Sequence, residues 1–195
     1  MKCLYCDAKI YKESLYSLFI EKDKLCSACR EKIKQNHQIF IRDGIKIETF
    51  YHYDSLFKDL LLQYKECYDE ALKDVFLYGI KERIILKYHG YKIIYVPSSK
   101  EKLNQRGFNH LKLIFDELHF EEVSGLRMIE ELSQVNKAKK QREKMLNNYL
   151  YEGNKLDKVL IVDDVYTTGS SIIGVSRAIK PYANNIRALT LAKVS

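Results

Sequence analysis

Apolar and polar positions take turns most clearly along Ile45-Lys46-Ile47-Glu48-Thr49-Phe50-Tyr51-His52-Tyr53. β-Branched and aromatic residues fill the apolar places, so this stretch predicts a strand. Asp54 and Ser55 then offer N-caps for a helix from Leu56 to about Tyr64, where the apolar spacing turns helical. The same spacing predicts a second helix from Glu70 to Tyr88, ended by Gly90. Tyr91 to Val96 reads as a short apolar strand stopped by Pro97. A loop, Pro97-Ser98-Ser99-Lys100, leads into Gln105-Arg106-Gly107-Phe108-Asn109 and a helix from His110 to Leu118. Lys158-Val159-Leu160-Ile161-Val162 is an aliphatic run too short for a helix and typical of a central parallel strand. A helix from about Ser171 to Tyr182 and a strand near Ile186 to Ala192 follow. Buried strands alternating with helices predict an α/β fold.

The chain has 195 residues, enough for one mid-sized domain and a small appendage. With 46% hydrophobic and 30% charged residues it has the balance of a globular protein rather than a disordered one. Two prolines and eight glycines favour long helices over a turn-rich all-β fold. No stretch approaches the roughly 18 apolar residues of a membrane-spanning helix. Met1-Lys2-Cys3-Leu4-Tyr5-Cys6-Asp7 lacks the apolar core of a signal peptide, so a cytoplasmic location is expected. Thirty-three basic residues against 26 acidic ones leave a net charge of +7, compatible with an anionic partner and equally with solubility alone. The charge concentrates in residues 133–149, which predict a mobile loop or a solvated helix.

Four of the five cysteines form two pairs, Cys3-x2-Cys6 and Cys26-x2-Cys29. Each pair can present two thiolates on one turn, and two such turns complete a tetrahedral four-sulfur shell for structural zinc. Lys2, Lys9, Lys24 and Arg30 can offset its negative charge. Few apolar residues surround the pairs, so metal binding is expected to supply the folding energy of this lobe. Two disulfides suit a chain without a secretion signal poorly. The lobe reads either as a contact for nucleic acid or a partner, or as a stapled appendage with no chemistry of its own. Cys67, in the helical stretch, is expected to be a buried structural thiol.

The most informative segment is Val159-Leu160-Ile161-Val162-Asp163-Asp164-Val165-Tyr166-Thr167-Thr168-Gly169-Ser170-Ser171. A buried strand enters two adjacent carboxylates, then a small-residue turn, then a helix. In open α/β sheets, ligands gather above the carboxyl ends of the strands. Thr167 to Ser171 would aim N–H groups and hydroxyls at a phosphate, and Gly169 would let the backbone come close. Two acids beside such a seat would repel a bare phosphate, but they suit ribose hydroxyls or a magnesium shell. The alternative is that Asp163 caps the loop and Asp164 is solvated. A Walker-type loop and a dinucleotide glycine fingerprint are both absent.

This segment resembles, position for position, the PRPP-binding motif of type I phosphoribosyltransferases: four apolar residues, two acids, two variable positions, Thr-Thr-Gly and small hydroxyl residues. Together with the four-cysteine knuckle, Val96-Pro97, Arg106-Gly107-Phe108-Asn109, and Gln134 followed by Arg142, it makes the chain similar over nearly its whole length to the ComF family of competence-associated phosphoribosyltransferase-like proteins. The departures are Ser98-Ser99 after Val96-Pro97, His110 where Gln is usual, and Met145 where Asn is common. The resemblance implies a type I phosphoribosyltransferase-like fold, a parallel sheet flanked by helices, over residues 41–195. A zinc-binding lobe over residues 1–40 would precede it. It also implies a PRPP site made by Asp163, Asp164, Val165, Tyr166, Thr167, Thr168, Gly169, Ser170 and Ser171, with the acids on the ribose hydroxyls and Thr167 to Ser171 on the 5-phosphate. Ser98, Ser99 and Lys100 would sit at the pyrophosphate, with magnesium accompanying PRPP. Arg106 would lie in an adjacent mobile segment and contact phosphate.

Two functional expectations follow. One is binding of PRPP or a related ribose phosphate, with or without turnover. No residue stands out as an acceptor-recognition or catalytic group; His110 and Asn109 qualify by position alone, against a packed helix start. The other is contact with single-stranded DNA in DNA uptake during natural transformation, in company with proteins of the competence machinery. It would use Arg106, Asn109, Lys137, Lys139, Lys140 and Arg142, with Tyr149 and Tyr151 stacking on bases. A solvated lid over PRPP is the competing reading of the basic stretch. An active phosphoribosyltransferase of nucleotide or base metabolism, with an unknown acceptor, is the alternative for the whole.

Overall fold

The computed structural model describes residues 1–10, 23–129 and 148–194. In chain order the elements are α1 (Ser27–Lys32), β1 (Gln35–Arg42), β2 (Ile45–His52), α2 (Ser55–Glu66), α3 (Lys73–Leu77), α4 (Lys81–Lys87) and β3 (Lys92–Tyr95). There follow α5 (Lys100–Arg106), α6 (His110–Phe115), β4 (Leu126–Met128), β5 (Tyr149–Tyr151), β6 (Leu156–Tyr166), α7 (Ser170–Ile179) and β7 (Ala183–Lys193). Single 3-10 turns lead into α3 and out of α6.

Five strands form the main sheet in the order β1-β2-β7-β6-β3. All neighbours run parallel except the edge pair β1–β2. β2 and the centre of β6 are buried almost continuously, as strands covered on both faces must be. β4 and β5 make a separate antiparallel pair that packs on α7, while α7 also rests on β6 and β7. On the other side α6 packs against α3 and β6. The expected α/β architecture, a mainly parallel sheet flanked by helices, is what the chain adopts. Among the described residues, no helix is long and apolar enough to cross a membrane.

Several features differ from their expectation. The helix expected from Glu70 to Tyr88 is broken, because Gly79 at φ +76° closes α3 before Ile80 and Ile84 restart the buried stripe in α4. β1 was invisible to alternation because its first half, Gln35-Asn36-His37-Gln38, is polar and lies on the sheet edge. Its signal was the turn instead: Asp43 and Gly44, at φ +48° and +78°, form the Asp-Gly hairpin that joins Arg42 to Ile45. Cys67 is exposed, not buried. The buried stripe of α2 ends at Tyr64, and the chain turns outward at Tyr68, which has φ +58°.

β6 is longer than the aliphatic run suggests and carries both acids within the strand. Its pairing with β3 stops at Tyr95–Val162, with a last bond from Val96 N–H to the Val162 carbonyl at 3.0 Å. Its pairing with β7 continues to Tyr166–Lys193. Pro97 sends the β3 side away, so a crevice opens at the first residue past the aliphatic run.

Candidate functional site

The crevice holds a cavity of about 390 Å³ whose lining includes Asp163, Asp164, Ser98, Ser99, Ser170, Ser171, Lys65, Arg106, His110 and Tyr149. Successive strand residues point to opposite faces, and the two acids do so. Asp164, 7% exposed, turns toward α2 and α6. Its Oδ2 accepts from His110 Nε2 at 3.0 Å and also meets the Lys65 ammonium. Burial works to raise the Asp164 carboxyl, but the His110 hydrogen bond and Lys65 outweigh it and hold the group well below the usual range. His110 is held below its ordinary value by burial first, with the Lys65 and Arg106 cations adding to it against the pull of Asp164. A neutral imidazole then donates from Nε2 to an ionised carboxylate.

Asp163 lies on the side of β5, near enough to Tyr149 to act on its phenol. Its Oδ1 accepts the Asp164 N–H at 2.9 Å. Burial and the neighbouring Asp164 charge push its carboxyl up, to about 8. Tyr149 in turn is hydrogen-bonded to Ser171, in the first turn of α7. The turn before that helix is exposed at Thr167 and Thr168, and the Thr168 and Ser170 hydroxyls lie 2.7 Å apart. Gly169 is required there for two reasons: its φ is +76°, and a Cβ would come within 2.6 Å of the Tyr166 ring. Val165 and Tyr166 pack into the core, Tyr166 edge-on to Phe40.

The last turn of α2 forms the opposite wall. Tyr64 donates from its hydroxyl to the His110 carbonyl at 2.9 Å, Lys65 reaches Asp164, Glu66 accepts from Arg106 at 2.8 Å, and Tyr68 donates to the Gln105 carbonyl at 2.7 Å. Arg106 is the last residue of α5, a helix closed by Gly107 at φ +74°, where the sequence pattern suggested only a linking segment. Asn109 is spent on capping α6, its Oδ1 accepting from the Lys112 N–H at 3.1 Å. Tyr151 is 3% exposed, packs on Tyr182 and donates to the Asn154 carbonyl, so it offers no face to a base. Lys100 begins α5. Lys137, Lys139, Lys140 and Arg142 lie outside the described residues.

Lys65 was missed by sequence reasoning, although a signal existed. It sits in phase with Phe57 and Leu61 on the buried stripe of α2, where a lysine needs a buried partner.

At the N-terminus the four sulfurs of Cys3, Cys6, Cys26 and Cys29 all lie within 4.8 Å of one another. Cys6 Sγ and Cys26 Sγ are 3.7 Å apart. A tetrahedron with Zn–S bonds of about 2.3 Å has edges of about 3.8 Å, whereas a disulfide needs about 2.05 Å. The donor set therefore fits zinc. Burial raises the Cys3 thiol, but backbone N–H groups of Cys26, Cys6 and Tyr5 prevail and bring it down to about 6, as a ligand thiolate needs. Burial and the neighbouring sulfurs push the Cys29 thiol up. The lobe is fastened to the sheet domain through Arg30. Its guanidinium takes Asp23 at 2.6 Å and the Val75 carbonyl at 3.0 Å, and it lies 4.9 Å from the centre of the Tyr78 ring. The boundary expected between residues 40 and 41 falls inside β1, whose hairpin with β2 belongs to the main sheet.

No family model matches the chain. Along nearly its whole length, however, it is similar to competence protein ComFC of Streptococcus pneumoniae (strain ATCC BAA-255 / R6), with 25% identity over 221 aligned residues that cover 99% of this chain and 100% of that protein. That likeness supports a resemblance to the ComF family. Competence protein ComFC of Bacillus subtilis (strain 168) is 23% identical over 228 aligned residues, covering 98% of this chain and 94% of the relative. The cysteine lobe and the crevice thus fall within alignments that cover nearly the whole chain.

Proposed function

We propose that this protein acts in the cytoplasm in DNA uptake during natural transformation, binding PRPP or a related ribose phosphate with magnesium and contacting single-stranded DNA. The competence role follows the names of its two full-length relatives. The ribose-phosphate reading rests on one observation: acids, a hydroxyl-rich helix start, a serine loop and two cations converge on one crevice at the carboxyl end of β6. Asp163 and the cavity-facing part of Asp164 would take the ribose hydroxyls, and the Ser170–Ser171 end of α7 the 5-phosphate, with Thr167 to Gly169 shaping the turn. Ser98, Ser99 and Lys100 would sit along the pyrophosphate. Magnesium prefers oxygen ligands. With Asp164 committed to Lys65 and His110, the ligand's own diphosphate and hydroxyl oxygens would hold the ion, which would neutralise phosphate charge.

Calorimetric titration with PRPP and magnesium tests this reading. Binding heat is expected from the wild type, with at least tenfold weaker affinity for Asp163→Asn, a loss of about 1.4 kcal/mol. No heat from PRPP, or an Asp163→Asn protein indistinguishable from wild type, sinks it. The DNA contact is assigned to Arg106 with Lys137, Lys139, Lys140 and Arg142. Met128 and Asn148, close to the two ends of residues 130–147, both line the cavity. Affinity for single-stranded DNA should fall steeply with salt, and salt-independent binding counts against a phosphate-tracking groove. Zinc would staple the N-terminal lobe. A chelator should then lower the thermal midpoint and release one zinc per chain.

Turnover is the second reading, favoured by Leu111, Met128 and Tyr149, which add apolar surface to the same cavity and suit a planar acceptor. Magnesium-dependent release of pyrophosphate on adding a nucleobase would establish it.

A further inference from the structure

The cavity has two unlike ends. Toward β5 and α7 lie the hydroxyls of Tyr149, Ser170 and Ser171, and toward α2 and α5 lie Lys65 and Arg106. The two acids of β6 stand between them, one on each face of the strand. A sugar with a single phosphate can satisfy only one of these ends.

Lys65 is 16% exposed at its side chain and comes from a helix outside the strand–turn–helix segment that carries the acids. Its ammonium has three donors, and Asp164 Oδ2, already shared with His110, cannot use them all. The remaining donors are available to a group entering the cavity beside Ser98 and Ser99. Arg106 is 11% exposed, but its partner Glu66 is 58% exposed, a rim pair of the kind that contributes little and exchanges readily. Lys65 can therefore keep Asp164 ionised and hold an incoming anion at once.

We propose that Lys65 makes this site selective for a ribose phosphate that carries a second anionic group, a phosphate or diphosphate, at the far end of the sugar. The proposal rests on the reading of the crevice as a ribose-phosphate seat. Lys65 reads the second anion directly, rather than only positioning Asp164.

The test is calorimetric titration of PRPP and of ribose 5-phosphate, each with magnesium, into wild type, Lys65→Met, Lys65→Gln and Lys65→Arg. Lys112→Met, which removes an exposed cation paired with Glu122 on α6, serves as the control. Circular dichroism checks the fold of each variant, and Lys65→Gln keeps a hydrogen bond to Asp164 should Lys65→Met fail to fold. A charge-assisted contact to the second anion predicts that Lys65→Met and Lys65→Gln lose roughly 10- to 100-fold on PRPP. Ribose 5-phosphate affinity should change less than about threefold, with Lys65→Arg recovering most of the PRPP affinity. Equal losses on both ligands would make Lys65 a positioning residue and overturn the proposal alone, as would no loss on either. A wild type that binds neither ligand overturns the ribose-phosphate seat, and the proposal with it.

Discussion

Two buried carboxylates on the same sheet carry nearly the same chemistry, and one of them, Asp164, lines the crevice. Glu48 on β2 is 1% exposed and accepts from His37 at 2.7 Å, Lys87 at 2.6 Å and the Tyr88 hydroxyl at 2.6 Å. Asp164 on β6 is held by a histidine and a lysine as well. In both, burial raises the carboxyl and the partners more than reverse it. The difference lies in how the two oxygens are shared. Glu48 gives Oε1 to His37 and Oε2 to Lys87 and Tyr88, whereas His110 and Lys65 both meet Asp164 at Oδ2. Glu48 also sits between two paired strands, opposite Ile39 and Leu189, while Asp164 lies past the point where β3 has left β6. A histidine–carboxylate–lysine cluster is thus no mark of function by itself. The gap in strand pairing opens a crevice beside one of them.

The largest effect that separates the two clusters is expected at Glu48. Glu48→Ala strands Lys87 and His37 and should cost about 3 kcal/mol of unfolding free energy in urea, while the folded protein still binds PRPP as the wild type does. A matching loss of affinity would erase the distinction between the clusters. Asp164→Asn should show the reverse balance, about 2 kcal/mol in stability and more than tenfold in PRPP affinity. Unchanged binding would reduce Asp164 to a second Glu48.

Acid sensitivity gives a smaller and shared effect. Both carboxyls have folded values below the usual one near 4, so each contributes stability that is complete above that value and lost as pH falls through the folded value. Denaturation curves from pH 5 downward should flatten in either variant. The smallest effect belongs to His110. Its folded value is depressed, so between the usual value near 6.5 and the folded one the unfolded chain binds more protons, and stability falls as pH falls. His110→Asn should remove that slope, and a slope that persists would assign it elsewhere.

Local order in the chain made much of this protein legible. The cysteine pairs, the aliphatic run into two acids, and the Thr-Thr-Gly turn into α7 are contiguous, and residues a few positions apart can meet only near one another. The α/β architecture and the four-sulfur cluster follow from such short-range patterns. Pattern alone also misjudged details where local preference gave way to the chain's path: Gly79 breaks a periodic helix, and β1 is strand by virtue of its turn rather than its apolar content.

Packing alone decided the rest. His110 and Asp164 are separated by 54 residues, and Tyr64 and the His110 carbonyl by 46. No periodicity relates such positions, because their meeting depends on how α2 and α6 dock on the sheet. The chain itself determined that two acids follow the aliphatic run of a buried strand, ahead of a Thr-Thr-Gly turn into a helix. The fold determined that one of them is charged by a lysine and a histidine from distant helices, because ion pairs form between whichever groups burial leaves side by side.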